Sequence, residues 1–178
     1  IAINAANTEI SGTVHTQGWV TRQYSFVLRF DQPFSALRLP ARAGEKAPRY
    51  VLNFKPGADQ MLEARIAFST VDVAGARRNL AMVDGKNFAQ VQAEAEAQWQ
   101  TLLARARIEA PGRQKRIFYT ALYHAFIHPS DIADVDGRVR GPDGKVLQAP
   151  GGVYYSTLSL WDTFRGVQPL FTLLVPER

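Results

Sequence analysis

The sequence predicts an α+β chain in which a partial antiparallel β-sandwich comes first and helices follow. Three observations carry that expectation. Short runs rich in β-branched and aromatic residues, divided by Pro, Gly and Asp turns, fill residues 1–72. After Asp84-Gly85-Lys86-Asn87 the apolar residues recur at spacings of three and four instead of two. A last apolar stretch, 163–175, is suited to a further buried helix despite Pro169 in its early part.

The first strong strand is 24–30, which stops at Asp31-Gln32-Pro33. Residues 34–39 and 50–54 are further short strands, separated by Pro40 and Ala43-Gly44-Glu45. Residues 61–69 alternate, with Leu62, Ala64, Ile66 and Phe68 on one side and Glu63 and Arg65 on the other. So few strands make an incomplete sandwich with an unpaired edge. In the helical part, Asn87 is the candidate N-cap, followed by the stripe Phe88, Val91, Ala95, Trp99, Leu102 and Ala106. Trp99 is read as a core residue. Residues 108–111 interrupt the pattern, and 112–127 form a second helix that is apolar nearly all round and should be buried on most faces. His124 on it is read as a core or interface histidine, and Pro129 ends the helix. Pro142-Asp143-Gly144-Lys145 is a tight turn between 138–140 and 146–147.

Composition excludes several classes. The chain has 178 residues, 46% of them hydrophobic, and a mean hydropathy of -0.17. It has no apolar run of about 18 residues, so no transmembrane helix is expected and a membrane is not an expected partner. It starts on Ile in strand-like sequence, lacks a leader signature, and stops soon after an apolar element, which reads as a piece of a longer protein. The absence of cysteine removes disulfides, thiolate metal sites and a Cys nucleophile. A net charge of +5 would suit nucleic acid, but the basic residues are scattered. The densest group, Arg113, Lys115 and Arg116, opens an apolar helix and is read as a solvated first turn, so no nucleic-acid partner is expected.

Residues 131–137 (DIADVDG) resemble part of a calcium-binding loop. Aligning Gly137 with the loop glycine puts Ile132 and Asp143 at the terminal ligand positions, which need an acidic residue and a glutamate. The segment is therefore read as a turn with exposed carboxylates and not as a metal site. No phosphate-binding loop and no G-x-S-x-G elbow occurs. The remaining constellation is Trp161, Asp162 and Arg165. A tryptophan face stacks on the C–H face of a sugar, a carboxylate accepts from two adjacent hydroxyls, and an arginine one turn later holds that carboxylate or the ligand. The competing reading of the same residues is a strand ending in a buried Trp beside a local Asp–Arg pair. One carboxylate beside a tryptophan fits binding better than the two carboxylates of acid–base hydrolysis.

Three segments together resemble glycoside hydrolase family 92, the calcium-dependent exo-acting α-mannosidases. They are FYTALYH at 118–124, DVDGRVRGPDG at 134–144 and YYSTLSLWDTFRGVQPL at 154–170. Upstream, Ile10-Ser11-Gly12, Gly18-Trp19 and Gly75-Ala76-Arg77-Arg78-Asn79-Leu80 are similar to the family's N-terminal domain. Val139 stands where a tyrosine is common and Gln168 where a histidine is common. The resemblance implies residues 1–82 as the end of the N-terminal β-sandwich domain, 83–112 as a linker helix, and 113–178 as the start of an (α/α)6 catalytic barrel. It implies an inverting α-mannosidase of the α-1,2 type, a mannose-containing glycan as substrate, calcium as cofactor, and a periplasmic or secreted location. No position here matches the family's catalytic carboxylates or calcium ligands, so catalytic residues are expected elsewhere. Trp161 and Asp162, with Arg165 in support, are expected in the wall of the mannose subsite. The other reading left open is a non-catalytic carbohydrate-binding or structural module.

Overall fold

The alternating sequence around Val27 builds the longest strand of a four-stranded antiparallel sheet. In a computed structural model describing residues 1–18, 21–45, 47–55, 61–155 and 160–177, this sheet has the order β1 (Ala2–Ile3), β2 (Glu9–Thr16), β3 (Arg22–Phe30) and β6 (Ala64–Ser69). Between β3 and β6 the chain makes a separate ribbon of β4 (Phe34–Leu39) and β5 (Arg49–Phe54). The strands expected at 24–30, 34–39, 50–54 and 61–69 are thus present, the last beginning at Ala64.

After β6 comes a helix that the sequence reading placed in β structure or left unassigned, α1 (Val73–Ala81). Its N-cap is Asp72, whose side chain accepts from the Gly75 N–H at 2.6 Å. Ala76 and Leu80 of α1 pack on Val27 to form the core of the first unit. The register pairs Val27 with Ala67 and Ser25 with Ser69, so this is the sheet face that α1 covers. The opposite face pairs Phe26 with Phe68 and Leu28 with Ile66. Ile66 and Phe68 are 53% and 56% exposed there. The apolar side of the alternating 61–69 segment is therefore the uncovered one. Small Ala67 and Ser69 lie inward because a helix must approach closely on their side.

The helical stretch forms as expected. α2 (Phe88–Leu103) starts at Asn87 with a reciprocal capping box to Gln90. α3 (Gly112–Phe126) follows. The chain then makes the hairpin β7 (Arg138–Arg140) and β8 (Val146–Gln148), turning at Gly144 with φ +80°. Last come a four-residue turn of helix, α4 (Leu160–Thr163), and α5 (Val167–Leu174). The helix expected over 163–175 is α5, which starts at Val167, with the short α4 ahead of it. Gly166 separates them, and Pro169 is accommodated in the first turn of α5, where its missing N–H has no intrahelical acceptor to lose.

The described residues divide into two compact units, Ile1–Asp84 with Ala133–Gly152, and Gly85–Ile132 with Val153–Arg178. In the second unit the core is Leu122, Phe126, Phe171 and Val175, with Trp99, Leu102 and Tyr119 packed around it. Trp99 therefore takes the core role expected of it. α3 is less buried than its composition suggested, since Ile117, Tyr123 and Ile127 remain exposed. His124 also stands exposed, with its ring 5.7 Å from that of Tyr123, and is not a core histidine.

Candidate substrate-binding site

The segment leading to Trp161 is fixed on its upstream side by residues 131–132. The Ile132 N–H donates to the Tyr154 carbonyl at 2.9 Å, the Tyr154 N–H donates to Asp131 Oδ1 at 3.0 Å, and Asp131 and Tyr155 form an isolated bridge. Downstream, α5 anchors it. Phe171 stacks on Phe126 at 5.7 Å, and the Arg105 guanidinium donates to the Leu174 carbonyl at 2.9 Å. Residues 156–159, in the middle of the segment, lie outside the described residues, as does Trp19 of the upstream likeness.

Between those anchors Trp161 and Asp162 sit on the one-turn α4, and Arg165 follows it. Trp161 is 88% exposed, and Asp162 and Arg165 are exposed as well. The reading of a strand ending in a buried tryptophan is thereby corrected. A four-residue turn ahead of α5 has little helix face to bury, and Trp161 and Asp162 project outward from it. No local Asp–Arg pair forms either: among the described residues neither Asp162 nor Arg165 enters an ion pair, and the Arg165 guanidinium lies 5.2 Å over the Phe164 ring. A free carboxylate, an open indole face and a guanidinium within five residues can accept from hydroxyls, stack on a pyranose and donate to oxygen. The clefts that open along α2 and α3 are lined by other residues, among them Trp99, Lys115, Tyr119 and Tyr123.

The DVDG segment is a turn in which Asp131 and Asp136 are exposed as expected, but Asp134 is not. Asp134 is 2% exposed. Its Oδ2 accepts from the Ser69 hydroxyl at 2.7 Å and its Oδ1 from the Asn79 amide at 2.9 Å. Asn79 in turn donates to the Phe68 carbonyl at 2.7 Å and accepts from the Val135 N–H at 2.9 Å. Gly75 is required beneath this cluster, because a Cβ there would collide with the Asp134 carboxylate and the Ser69 hydroxyl. Asp136 lies beside Arg78 and Arg138, each with an N···O distance of 3.0 Å. Arg140 donates to the carbonyls of Thr70, Val71 and Gly144. The DVDG segment thus joins the hairpin to β6 and α1. Sequence reasoning missed this role. Asp72, followed three residues later by Gly75, was the local signal for α1, but nothing local marks an aspartate whose partners are 55 and 65 residues away.

These groups are not arranged as calcium ligands. Among the described residues no three His, Asp or Glu side chains come together to hold a metal ion. Asp72 and Asp136 face arginines and Asp134 is occupied by neutral donors. Among the described residues these donor sets do not fit a divalent ion.

Comparisons with known proteins agree with the order of these segments. The sequence model of the glycosyl hydrolase family 92 catalytic domain matches residues 75–178. A family 92 α-mannosidase structure from Bacteroides thetaiotaomicron superposes with a TM-score of 0.83 at 27% identity, over 96% of this chain and 25% of that one. The same α-mannosidase in complex with mannoimidazole gives the same values. A family 92 inverting mannosidase from the same organism superposes with a TM-score of 0.80 at 26% identity, over 98% of this chain and 26% of that one. The chain therefore spans about a quarter of the length of these structures. No curated protein matches it.

Proposed function

The chain belongs to glycosyl hydrolase family 92, and we propose that it is part of an inverting, exo-acting α-mannosidase of the α-1,2 type that removes terminal mannose from glycans. The observation that carries this reading is the exposed Trp161-Asp162 turn, held between the 131–132 pairing and the Phe171 anchor. The mannoimidazole bound by a structural neighbour supports a mannose-like ligand. In this reading the Asp162 carboxylate accepts from two vicinal hydroxyls of the terminal mannose, and the Trp161 indole covers a C–H face of the ring. Arg165 donates to a further ring or glycosidic oxygen. Inversion needs a general acid and a general base spaced to admit a water. Neither is assigned to residues 1–178, and the piece by itself is inactive. Calcium belongs to the reading through the family resemblance alone, and its ligands lie elsewhere in the enzyme.

The architecture proposed for the whole protein follows the same resemblance. Residues 1–82 close an N-terminal β-sandwich, 83–112 link, and 113–178 begin an (α/α)6 barrel. The uncovered Ile66 and Phe68 face supports the sandwich, since a second sheet would bury it. The exposed Ile117, Tyr123 and Leu173 support further barrel helices around this one. A periplasmic or secreted location goes with a glycan substrate.

The test is kinetic. Asp162→Ala in the full-length enzyme should lower kcat/KM on an α-mannobiose by at least about a hundredfold, because two charge-assisted hydrogen bonds of about 1.5–3 kcal/mol each are lost. Unchanged efficiency would remove Asp162 from the subsite. Comparing α-1,2-, α-1,3- and α-1,6-mannobiose with and without chelator tests linkage and calcium together. The anomer first released, followed by NMR, tests inversion.

A further inference from the structure

Positive charge is unevenly placed in the first unit. Residues 34–55 hold Arg38, Arg42, Lys46, Arg49 and Lys55 against a single acidic residue, Glu45, so this stretch carries +4 of the chain's +5. Elsewhere in the unit arginines are engaged. Arg29 and Arg77 meet Glu9, Arg65 meets Glu63, and Arg138 meets Asp136. Arg140 is satisfied by three carbonyls. Among the described residues Arg38, Arg42, Arg49 and Lys55 enter no ion pair. Glu45 does not neutralise them through a side-chain contact, since its Oε2 accepts from the Arg42 backbone N–H at 3.0 Å.

The ribbon places these cations at its far end. Phe34 and Phe54 pair at its base and pack with Phe30. Arg38 pairs with Tyr50 and Leu39 with Arg49 near the turn, which itself holds Arg42. Directly paired residues lie about 5 Å apart at Cβ and share a face, so Arg38 and Tyr50 are side by side while Arg49 projects from the opposite face. Arg38 and Arg42 are exposed, and Arg49 rests its Nε on the Pro40 carbonyl at 3.3 Å. The tip thus presents Arg38 beside the Tyr50 ring on one face, Arg49 on the other, and Arg42 at the turn between them.

We propose that the tip of the β4–β5 ribbon binds an anionic polysaccharide, its carboxylate or sulfate groups held by Arg38, Arg42 and Arg49. Guanidinium forks match planar or tetrahedral oxyanions in two bonds each, which lysines cannot do. The Tyr50 ring lies against a sugar face next to Arg38. A nucleic-acid strand would call for several stacking rings, and the tip offers one. A lipid surface would call for a broad apolar face, and among the described residues Leu37 and Val51 are the large apolar side chains exposed beside the cations. This site is separate from the mannoside reading and is measured without turnover.

The full-length enzyme passed over immobilised dextran sulfate should be retained to higher salt than over neutral dextran. Arg38→Gln with Arg42→Gln should weaken binding by about tenfold and flatten its salt dependence, because two ionic contacts are gone. Arg113→Gln with Lys115→Gln removes the same charge from α3 and should bind like the parent. Arg38→Lys keeps the charge without the fork and should fall between the parent and the Gln pair. Equal losses in the two double variants would mean that net charge alone governs, and would overturn the proposal. Tighter binding to a single-stranded oligonucleotide, or to phosphatidylglycerol vesicles, than to dextran sulfate would overturn it as well.

Discussion

Both units bury apolar side chains, but the first also rests on a buried hydrogen-bonded carboxylate, Asp134. In the second, the core of Leu122, Phe126, Phe171 and Val175 is apolar, and its partners meet by burying surface. In the first, buried apolar side chains such as Val27, Ala76 and Leu80 are accompanied by directional bonds from a buried aspartate, which tie the hairpin to β6 and α1. Apolar contacts are tolerant of shape. Hydrogen-bonded clusters are not, because each donor needs one acceptor in one place. The same change of a few atoms should therefore cost little in one unit and much in the other.

Ordered by size, the largest effect belongs to the apolar unit. Phe171→Ala should cost about 3–5 kcal/mol in urea unfolding of that unit, since the ring stacked on Phe126 leaves a cavity. A loss under about 1 kcal/mol would mean that α5 is not part of the core. Next comes Asp134→Asn, nearly isosteric, which should cost about 2–3 kcal/mol in the first unit. The Ser69 hydroxyl already accepts from Val71 and Asp72 N–H groups, at 2.9 and 3.3 Å. Asn79 is oriented by the Val135 N–H, so a new amide would face a donor or a filled acceptor. A neutral result would erase the contrast between the units. Leu122→Met, an equally small change in the apolar core, should stay below about 1.5 kcal/mol. The smallest is Asn87→Ala, about 1 kcal/mol of helix stability, read as faster amide exchange in the first turn of α2.

Legibility in the sequence followed the range of the interactions. The Asn87 cap, the Trp99 stripe, the strands around Val27 and the Gly144 turn depend on residues a few positions apart, and all were readable. α1 was missed because its helical run is short and only three residues separate it from a strand, without a Gly or Pro among them. Asp134 was misread because its burial depends on Ser69 and Asn79. At the candidate site the residue types were legible while the environment was not. Trp161 looks like a core residue by composition, and it is exposed because the chain leaves only one turn of helix before α5.

Local order alone thus determined most of the strands, the two longest helices, the Asn87 cap, the Gly144 turn, and the order of segments that places this chain in its family. Only the tertiary structure decided which face of β6 is covered, that Asp134 is a buried hub and not a surface carboxylate, and that the Trp161-Asp162 turn stands free. The physical reason is the same in each case. Burial and hydrogen-bond partnership are properties of pairs distant in sequence, and a periodicity states that a face exists without stating what meets it.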